Sequence, residues 1–552
     1  MSPFVLCPSP LSYRCVCVSA GPKENITANA AACGGSKFFQ AAYFRKRKKR
    51  QALVVLAYCI VIVRCFEAET ASTAAAAARS RVTVPKMASW KIPLVVASLK
   101  KPACRALSTQ VATKTASQDI SPARLQSEEL RTTTLENGLT VYSKENHSPV
   151  SRIVIVTKAG SRYEDASNLG LTHVLRTAAG LTTKNSSTFA ITKHIEWFGG
   201  NLYASTTRDH MVYALECNRD HVASAIEFLN DTVFAPEFRR WELEDIIPRM
   251  RIDLALYQKN QSARLMDALH KACFRGGLAN SLFIDPDLLG KVKSSQLTEF
   301  CNKHVTGPRT VVSAMGVDHE RLLHVYKKLT KLQTNSADDG KATKFNSTGG
   351  EVRIEAPTFS NTMLALAMEA NGMANPKEAL AMEVVKHILG MSKARIAYSE
   401  LGATRLGQAA LATKPSHPFS VGSFTAPYTN MGMFGVALAA HPTEAGPIAK
   451  AVIATVRGLS KGVSDADLAA AKVKAKYAIA KRETKDTKVA RNLAVQHLTL
   501  GAPLTYSQAE QVIDSISAQD VGALAQKMSR AKPSMAAIGK LFDTPHIDDL
   551  LQ

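Results

Sequence analysis

GSRYEDASNLGLTHVLRT, residues 160–177, is the stretch on which the fold turns. It is preceded by SRIVIVTK, residues 151–158, whose β-branched side chains read as a strand. From residue 170 to 181 the pattern reads as a helix. That helix carries a single histidine, His173, with Arg176 and Thr177 on the turn that follows it. Working outward, Asn137-Gly138 is a turn dipeptide entering a strand that reaches Tyr142. Residues 188–198 read as a second helix, stopped by Gly199-Gly200. Residues 201–207 and 211–217 read as a strand pair, 219–230 as a helix, and 236–269 as a long helix interrupted near Pro248. A strand over 309–316 closes the unit.

Residues 334–350 (TNSADDGKATKFNSTGG) are polar and rich in Gly, Ser, Thr and Asn, the composition of a linker. Beyond them the pattern restarts. Strands are expected over 362–369, 423–428, 432–440 and 534–539, and helices over 376–389, 465–496 and 517–529. The landmarks recur as well: Gly160 is answered by Gly372 and Gly316 by Gly539, at nearly the same interval along the chain. The expected fold class is α+β, with two homologous domains over 130–333 and 351–552. Each is a mostly antiparallel sheet packed with helices, and the two are related by an internal repeat. Two such halves tend to face each other across a cleft.

The 552 residues carry a formal net charge of +23, which invites a nucleic-acid reading. The charge is unevenly placed. Residues 1–107 hold 17 Lys+Arg against 3 Asp+Glu, whereas the rest holds 52 against 43. The basic excess therefore belongs to a leader, not to a binding face. Seven of the ten cysteines also lie at or before Cys104, leaving Cys217, Cys273 and Cys301, too few and too scattered for a disulfide framework or a zinc knuckle. Residues 87–118 begin at a methionine, are rich in Ser, Thr and Ala, and contain Lys91, Lys100, Lys101, Arg105 and Lys114 with no acid. That is the composition of a mitochondrial transit peptide, with processing expected around Arg105 and Leu107. Upstream, RKRKKR at 45–50 precedes a 12-residue apolar run at 52–63, short of the roughly 20 residues a spanning helix needs. It reads as a signal-peptide core, a weak anchor, a nuclear-localisation cluster, or part of an alternative or misassigned upstream start. The leader over 1–107 is expected to be disordered and absent from the mature protein.

Taken in order, Gly160-Ser161-Arg162-Tyr163-Glu164, Gly170 to Thr177, Gly199-Gly200-Asn201-Leu202-Tyr203-Ala204, Pro236-Glu237-Phe238, Leu282 to Leu297 and Gly316-Val317-Asp318-His319 resemble the pitrilysin/insulinase family of zinc peptidases. The resemblance covers residues 132–550. In that family a GSRYE-like turn precedes a helix bearing His-x-x-Glu-His. Two histidines one helical turn apart share a helix face and bind zinc, a downstream Glu completes the tetrahedron, and the Glu beside the second His activates the zinc-bound water. Here only His173 remains. Arg176 stands at the base position and Thr177 at the second ligand position. A guanidinium only donates and repels a metal, so it is no general base. The family's downstream Glu falls near 244–253, where Glu244 and Asp253 stand. His319 and His324 resemble a zincin motif with one residue too many; that spacing puts them about 140° apart on a helix, and His319 is expected to begin a surface helix.

The resemblance implies a degenerate, non-catalytic family member with no metal and no cofactor. The family's non-catalytic processing-peptidase subunit carries a glycine-rich loop, and residues 390–408 (GMSKARIAYSELGATRLGQ) hold only isolated glycines. Arg251-Ile252-Asp253, Leu278-Ala279-Asn280, Pro418-Phe419-Ser420-Val421, Ser423-Phe424-Thr425-Ala426 and residues 428–435 (YTNMGMFG) instead resemble the core proteins of mitochondrial ubiquinol–cytochrome c reductase (complex III). A structural role is thus implied, peripheral on the matrix side of the inner membrane, in a hetero-oligomer with core protein 1 and the other subunits of a dimeric complex. Membrane association would be indirect and nucleic acid is not a partner. The alternative is a processing-peptidase subunit or a presequence-binding partner of a metallopeptidase.

Overall fold

The computed structural model describes residues 128–328, 348–392 and 404–551. The leader with Arg105 and Leu107, the linker apart from 348–350, and residues 393–403 of the 390–408 stretch lie outside the described residues. Among the described residues no helix is long and apolar enough to cross a membrane.

The first half contains β1 (Arg131–Thr134), β2 (Thr140–Lys144), β3 (Val150–Thr157), α1 (Leu171–Thr177), α2 (Thr188–Trp197), β4 (Asn201–Thr206), β5 (Met211–Asn218), α3 (Val222–Phe234), α4 (Arg240–Asp245), α5 (Ile247–Lys259), α6 (Gln261–Cys273), α7 (Ser294–His304), β6 (Thr310–Met315) and α8 (His319–Lys327). The second contains β7 (Gly350–Glu355), β8 (Thr362–Asn371), α9 (Pro376–Leu389), β9 (Met391–Ser392), α10 (Arg405–Ala412), β10 (Ser420–Pro427), β11 (Met431–Ala440), α11 (Pro442–Gly458), α12 (Asp465–Arg482), α13 (Asp486–Leu500), α14 (Tyr506–Ser515), α15 (Ala518–Arg530), β12 (Ser534–Gly539) and α16 (Ile547–Leu551).

The strands form two sheets, ordered β1-β2-β6-β3-β5-β4 and β7-β12-β8-β11-β10-β9. In each, one pair is parallel (β2 with β6, β7 with β12) and the rest are antiparallel. Five strands of one sheet thus match five of the other in order and direction, and the repeat read from the glycines is a repeat of topology. Gly160 and Gly372 occupy equivalent tight spots. A Cβ on Gly160 would stand 2.2 Å from the carbonyl oxygen of Arg208, and one on Gly372 would stand 2.4 Å from Met431 N.

Both faces of the central strands of each sheet are buried, which is why β3 is apolar from Ile153 to Val156 instead of alternating. Ile153 and Ile155 pack on the first half's own helices, beside Leu171, Val174, Ile226 and Leu229. Val154 and Val156 face the other way and pack on Ala490, Ala494 and Leu498 of α13. The second sheet mirrors this. Leu364 and Leu366 pack on their own half's helices, and Ala365 and Ala367 pack on Leu265, Ala268 and Leu269 of α6. Each half therefore covers one face of the other half's sheet with a helix of its own.

That exchange explains where the helices depart from their expected extents. The 236–269 segment is three helices. Pro248 stands in the first turn of α5, where its missing N–H costs nothing. Asn260 is extended (φ −89, ψ 93) and accepts from Ala263 N at 3.1 Å to start α6. The 465–496 segment is two helices, with a corner at the extended Lys485. Past that corner Asp486 reaches the first half, pairing with Arg152 at 2.7 Å. The helix expected to reach 181 stops at Thr177. His319 does begin a helix but is buried, its ring bonded to the hydroxyls of Thr133 and Ser143 at 2.8 and 2.7 Å; the expectation of a surface position is wrong for this residue and correct for the exposed His324.

Leu269→Ala deletes a fully buried side chain at the exchanged helix. It should cost about 3 kcal/mol, and both halves should melt in one earlier transition when circular dichroism and a probe in each half are followed through a urea titration.

Candidate functional site

The turn at 160–164 is built around buried polar contacts. Arg162 bonds Asp209 at 3.0 Å, and Asn280 Nδ2 donates to the carbonyls of Ser161 and Glu164, both at 3.0 Å. The Glu164 carboxylate accepts from Gly170 N at 2.9 Å, Thr172 N at 2.7 Å and the Thr172 hydroxyl at 2.6 Å. It therefore supplies the acceptors that the first turn of α1 lacks. Burial raises the Glu164 pKa despite these donors.

His173 follows in α1 and is fully buried. Its Nδ1 accepts from Ile284 N at 3.3 Å, which places the proton of the neutral ring on Nε2. That nitrogen stands 3.6 Å from Asp253 Oδ2, on α5, beyond hydrogen-bond distance. Arg176 Nη2 takes the same carboxylate at 3.1 Å, and its guanidinium lies over the Phe283 ring at 5.4 Å. The Thr177 hydroxyl donates to the His173 carbonyl at 2.9 Å, the usual recourse of a threonine inside a helix. Burial, with the Arg176 charge adding to it, pushes the His173 pKa down to about 4; Asp253 opposes the shift. Near neutral pH the site holds a neutral imidazole, a carboxylate and a guanidinium.

Of the two acids between 244 and 253, the structure brings Asp253 to His173. Glu244 is exposed and pairs with Arg240 at 3.1 Å. A tetrahedral zinc needs three protein donors converging on one point. One imidazole and one carboxylate converge here, the carboxylate is held by a guanidinium, and the Thr177 hydroxyl is committed to the backbone. This donor set does not fit the ion. Among the described residues, no group of three or more His, Cys, Asp or Glu is placed to hold a metal.

A second polar cluster is not apparent from the sequence. Arg208, buried, bonds Asp267 at 2.7 Å and the Leu278 carbonyl at 3.1 Å. Asp209 accepts from the backbone N–H and hydroxyl of Thr429 in the second half, at 2.9 and 3.0 Å. His270 meets the Tyr428 hydroxyl at 2.5 Å. The turns 207–210 and 428–430 are thus joined at the contact of the two halves. Two adjacent charges, Arg208 and Asp209, at the turn between β4 and β5 are the available signal.

The fold and this geometry define a two-domain relative of the inverted zinc peptidases. The profile described as "Insulinase (Peptidase family M16)" matches residues 139–286, and that described as "Peptidase M16 inactive domain" matches residues 291–474. The chain belongs to the M16 peptidase family. It is similar to the human protein named "Cytochrome b-c1 complex subunit 2, mitochondrial", 37% identical over 77% of this chain and 93% of the relative. The mouse protein of the same name is 36% identical over the same shares. The potato "Mitochondrial-processing peptidase subunit alpha" is 30% identical over 78% of this chain and 84% of the relative. Among solved structures, a chain of "Complex III2 from Candida albicans, Inz-5 bound" superposes with a TM-score of 0.67 over 77% of this chain and 99% of that one. At 19% identity this speaks for the fold.

The low His173 pKa has a stability consequence. The unfolded ring binds its proton near pH 6.5 and the folded ring only near pH 4. The unfolded state therefore takes up more protons inside that window, and stability falls as the pH falls through it. From pH 7.5 to pH 5 the protein should lose about 2 kcal/mol more than its His173→Gln variant, read as the difference between their urea unfolding free energies.

Proposed function

We propose that this chain is a non-catalytic structural subunit of mitochondrial ubiquinol–cytochrome c reductase (the cytochrome b-c1 complex, complex III), in the place of subunit 2, also called core protein 2. The observation that carries the reading is the 37% identity to the human subunit 2 along 93% of its length. The processing-peptidase alternative rests on a lower identity, 30% to the potato α subunit. Partners on this reading are core protein 1 and the other subunits of the dimeric complex, with the chain peripheral on the matrix side.

The site chemistry supports a scaffold. Hydrolysis would need a proton acceptor at residue 176 and an imidazole at 177, and Arg176 and Thr177 supply neither. The surface supports partnership. Ile252 and Leu256 on α5 are 61% and 62% exposed, and Val473 and Tyr477 on α12 are 67% and 66% exposed. Each pair is spaced by one helical turn, and the two pairs are separated along the chain by close to the interval of the repeat. The domain limits proposed are 130–333 and 351–552 with a linker over 334–350. The leader over 1–107, with a transit peptide from about 87, is proposed to be removed near Arg105 and Leu107.

Two measurements test this. On a native gel of mitochondrial membranes the chain should co-migrate with complex III, and mass spectrometry of that band should find a mature N-terminus just beyond Leu107. Migration alone, with a presequence-cleaving activity, would favour the peptidase alternative. The purified protein should hold less than a tenth of an equivalent of zinc after dialysis, whereas Arg176→Glu combined with Thr177→His should hold close to one. Stoichiometric zinc on the unmodified chain, lost in His173→Gln, would defeat the scaffold reading.

A further inference from the structure

A cavity of about 220 Å³ lies between α9, α12, α13 and α14, closed on one side by His210 and Val212 of the first half. None of its walls comes from the His173 site, so it is a separate feature. Most of the wall is apolar, with Leu380, Met433, Ile479 and Leu500 among its residues. Its charged groups are Glu383, Arg482, Glu483 and Arg491. Arg482 is taken by Glu383, which accepts from it at 3.0 Å. Arg491 is different. It is half-buried, and burial lowers its pKa. Among the described residues it makes no ion pair with a carboxylate. Beside it, His210 is 5% exposed with an Nε2 that has no hydrogen-bond partner. The Arg491 charge reaches that ring, since it helps hold the imidazole neutral.

A cation half out of water without an anion carries an uncompensated desolvation cost, and an incoming anion relieves it. A guanidinium presents a planar fork that matches a carboxylate. A multiply charged phosphate would want more cations than the one left free here. Much of the remaining wall offers apolar contact, although Asn371, Thr425, Asn492, Gln496 and Glu483 also line it. The volume holds far more than one water, at about 30 Å³ each, yet falls below the roughly 300–1,000 Å³ typical of drug-sized sites. That leaves room for one short chain and not for a two-chain phospholipid.

We propose that this cavity binds a single-chain amphipathic carboxylate of the medium-chain fatty-acid class, its head on Arg491 and its chain along the apolar wall. The site owes nothing to the peptidase chemistry and would add a ligand-responsive element to a structural subunit. Because α13 is the helix that crosses onto the first sheet, ligand bound beside Arg491 would also brace the junction of the two halves.

The test uses a decanoate carrying a photoreactive diazirine at its chain end. It is applied to the native complex held in an amphipathic polymer, since detergent would compete. Labelled peptides are mapped by mass spectrometry. Label should fall within 376–383 and 479–509, excess decanoate should suppress it, and equal 1-decanol should not. Arg491→Gln should lower labelling at least tenfold, with Arg491→Lys falling between. Should Arg491→Gln fail to assemble, Ala379→Trp fills the cavity without touching the arginine and must abolish the label. Label elsewhere, undiminished label in these variants, or equal competition by decanol would each overturn the proposal. If the chain does not migrate with complex III, the same labelling of the purified full chain decides the cavity separately from the function.

Discussion

The reciprocal exchange of helices is the constraint on which the rest of the molecule depends. α6 leaves the first half to cover the second sheet, and α13 leaves the second half to cover the first. Remove either and a row of buried side chains meets water: Val154, Val156 and Val212 on one sheet, Ala365, Ala367 and Ile538 on the other. At about 25 cal/mol per Å² of apolar surface, losing either contact would remove a sizeable part of a domain's usual margin of stability. Each half then depends on the other to cover its sheet, although each has its own core. The two corners that launch the exchanged helices, at Asn260 and Lys485, are accordingly held by specific polar contacts: the Asn260 cap on Ala263, and Asp486 with Arg152 and Asn146.

The same junction accounts for the sequence motifs that resemble a peptidase where its catalytic residues are absent. Gly160 is small because the Arg208 carbonyl passes 2.2 Å from where a Cβ would sit. Arg162 holds Asp209, which receives Thr429 from the other half. Glu164 supplies acceptors to α1, and Asn280 ties the turn down by two carbonyls. These residues, which carry the resemblance, thus serve architecture. Breaking one partner of a buried pair such as Arg162–Asp209 leaves an uncompensated charge, which costs more than the pair itself is worth.

Much of this is legible in the sequence because it follows from local pattern. Strands buried on both faces announce themselves as continuous apolar runs, and Pro376 and Gly199-Gly200 mark helix ends. The parallel pairs are not legible, since partners such as Val141 and Val312, or Val352 and Ala536, stand at opposite ends of their halves of the chain. The short strand β1, all polar and mostly exposed, carries no apolar pattern to read. The helix corners are hidden because Ala- and Lys-rich sequence continues a helical pattern through Lys485; what bends it there is the sheet it must reach. Asp253 is ambiguous with Glu244 because nothing nearby in the chain says which acid faces the distant α1. Arg491 looks like one more charge on a basic helix; only the packing of four helices around it makes it distinctive.

The environment of Asp253 closes the physical account. The resemblance implies that a zinc peptidase of this family would bind its ion through a carboxylate from the stretch 244–253 and link it to α1. Here the link is made by Arg176 at 3.1 Å, steadied by its position over Phe283. The pair is partly exposed, with relative accessibilities of 21% and 32%, so it contributes only about 1 kcal/mol. It nevertheless meets the local electrostatic requirement, because a fixed cation neutralises the carboxylate and a neutral imidazole needs no counter-charge. A metal arriving at this site would have to displace the guanidinium, overcome its repulsion, and find a third donor where Thr177 is turned to the backbone. Arg176 thus links α5 to α1 at the place where the resemblance would put an ion.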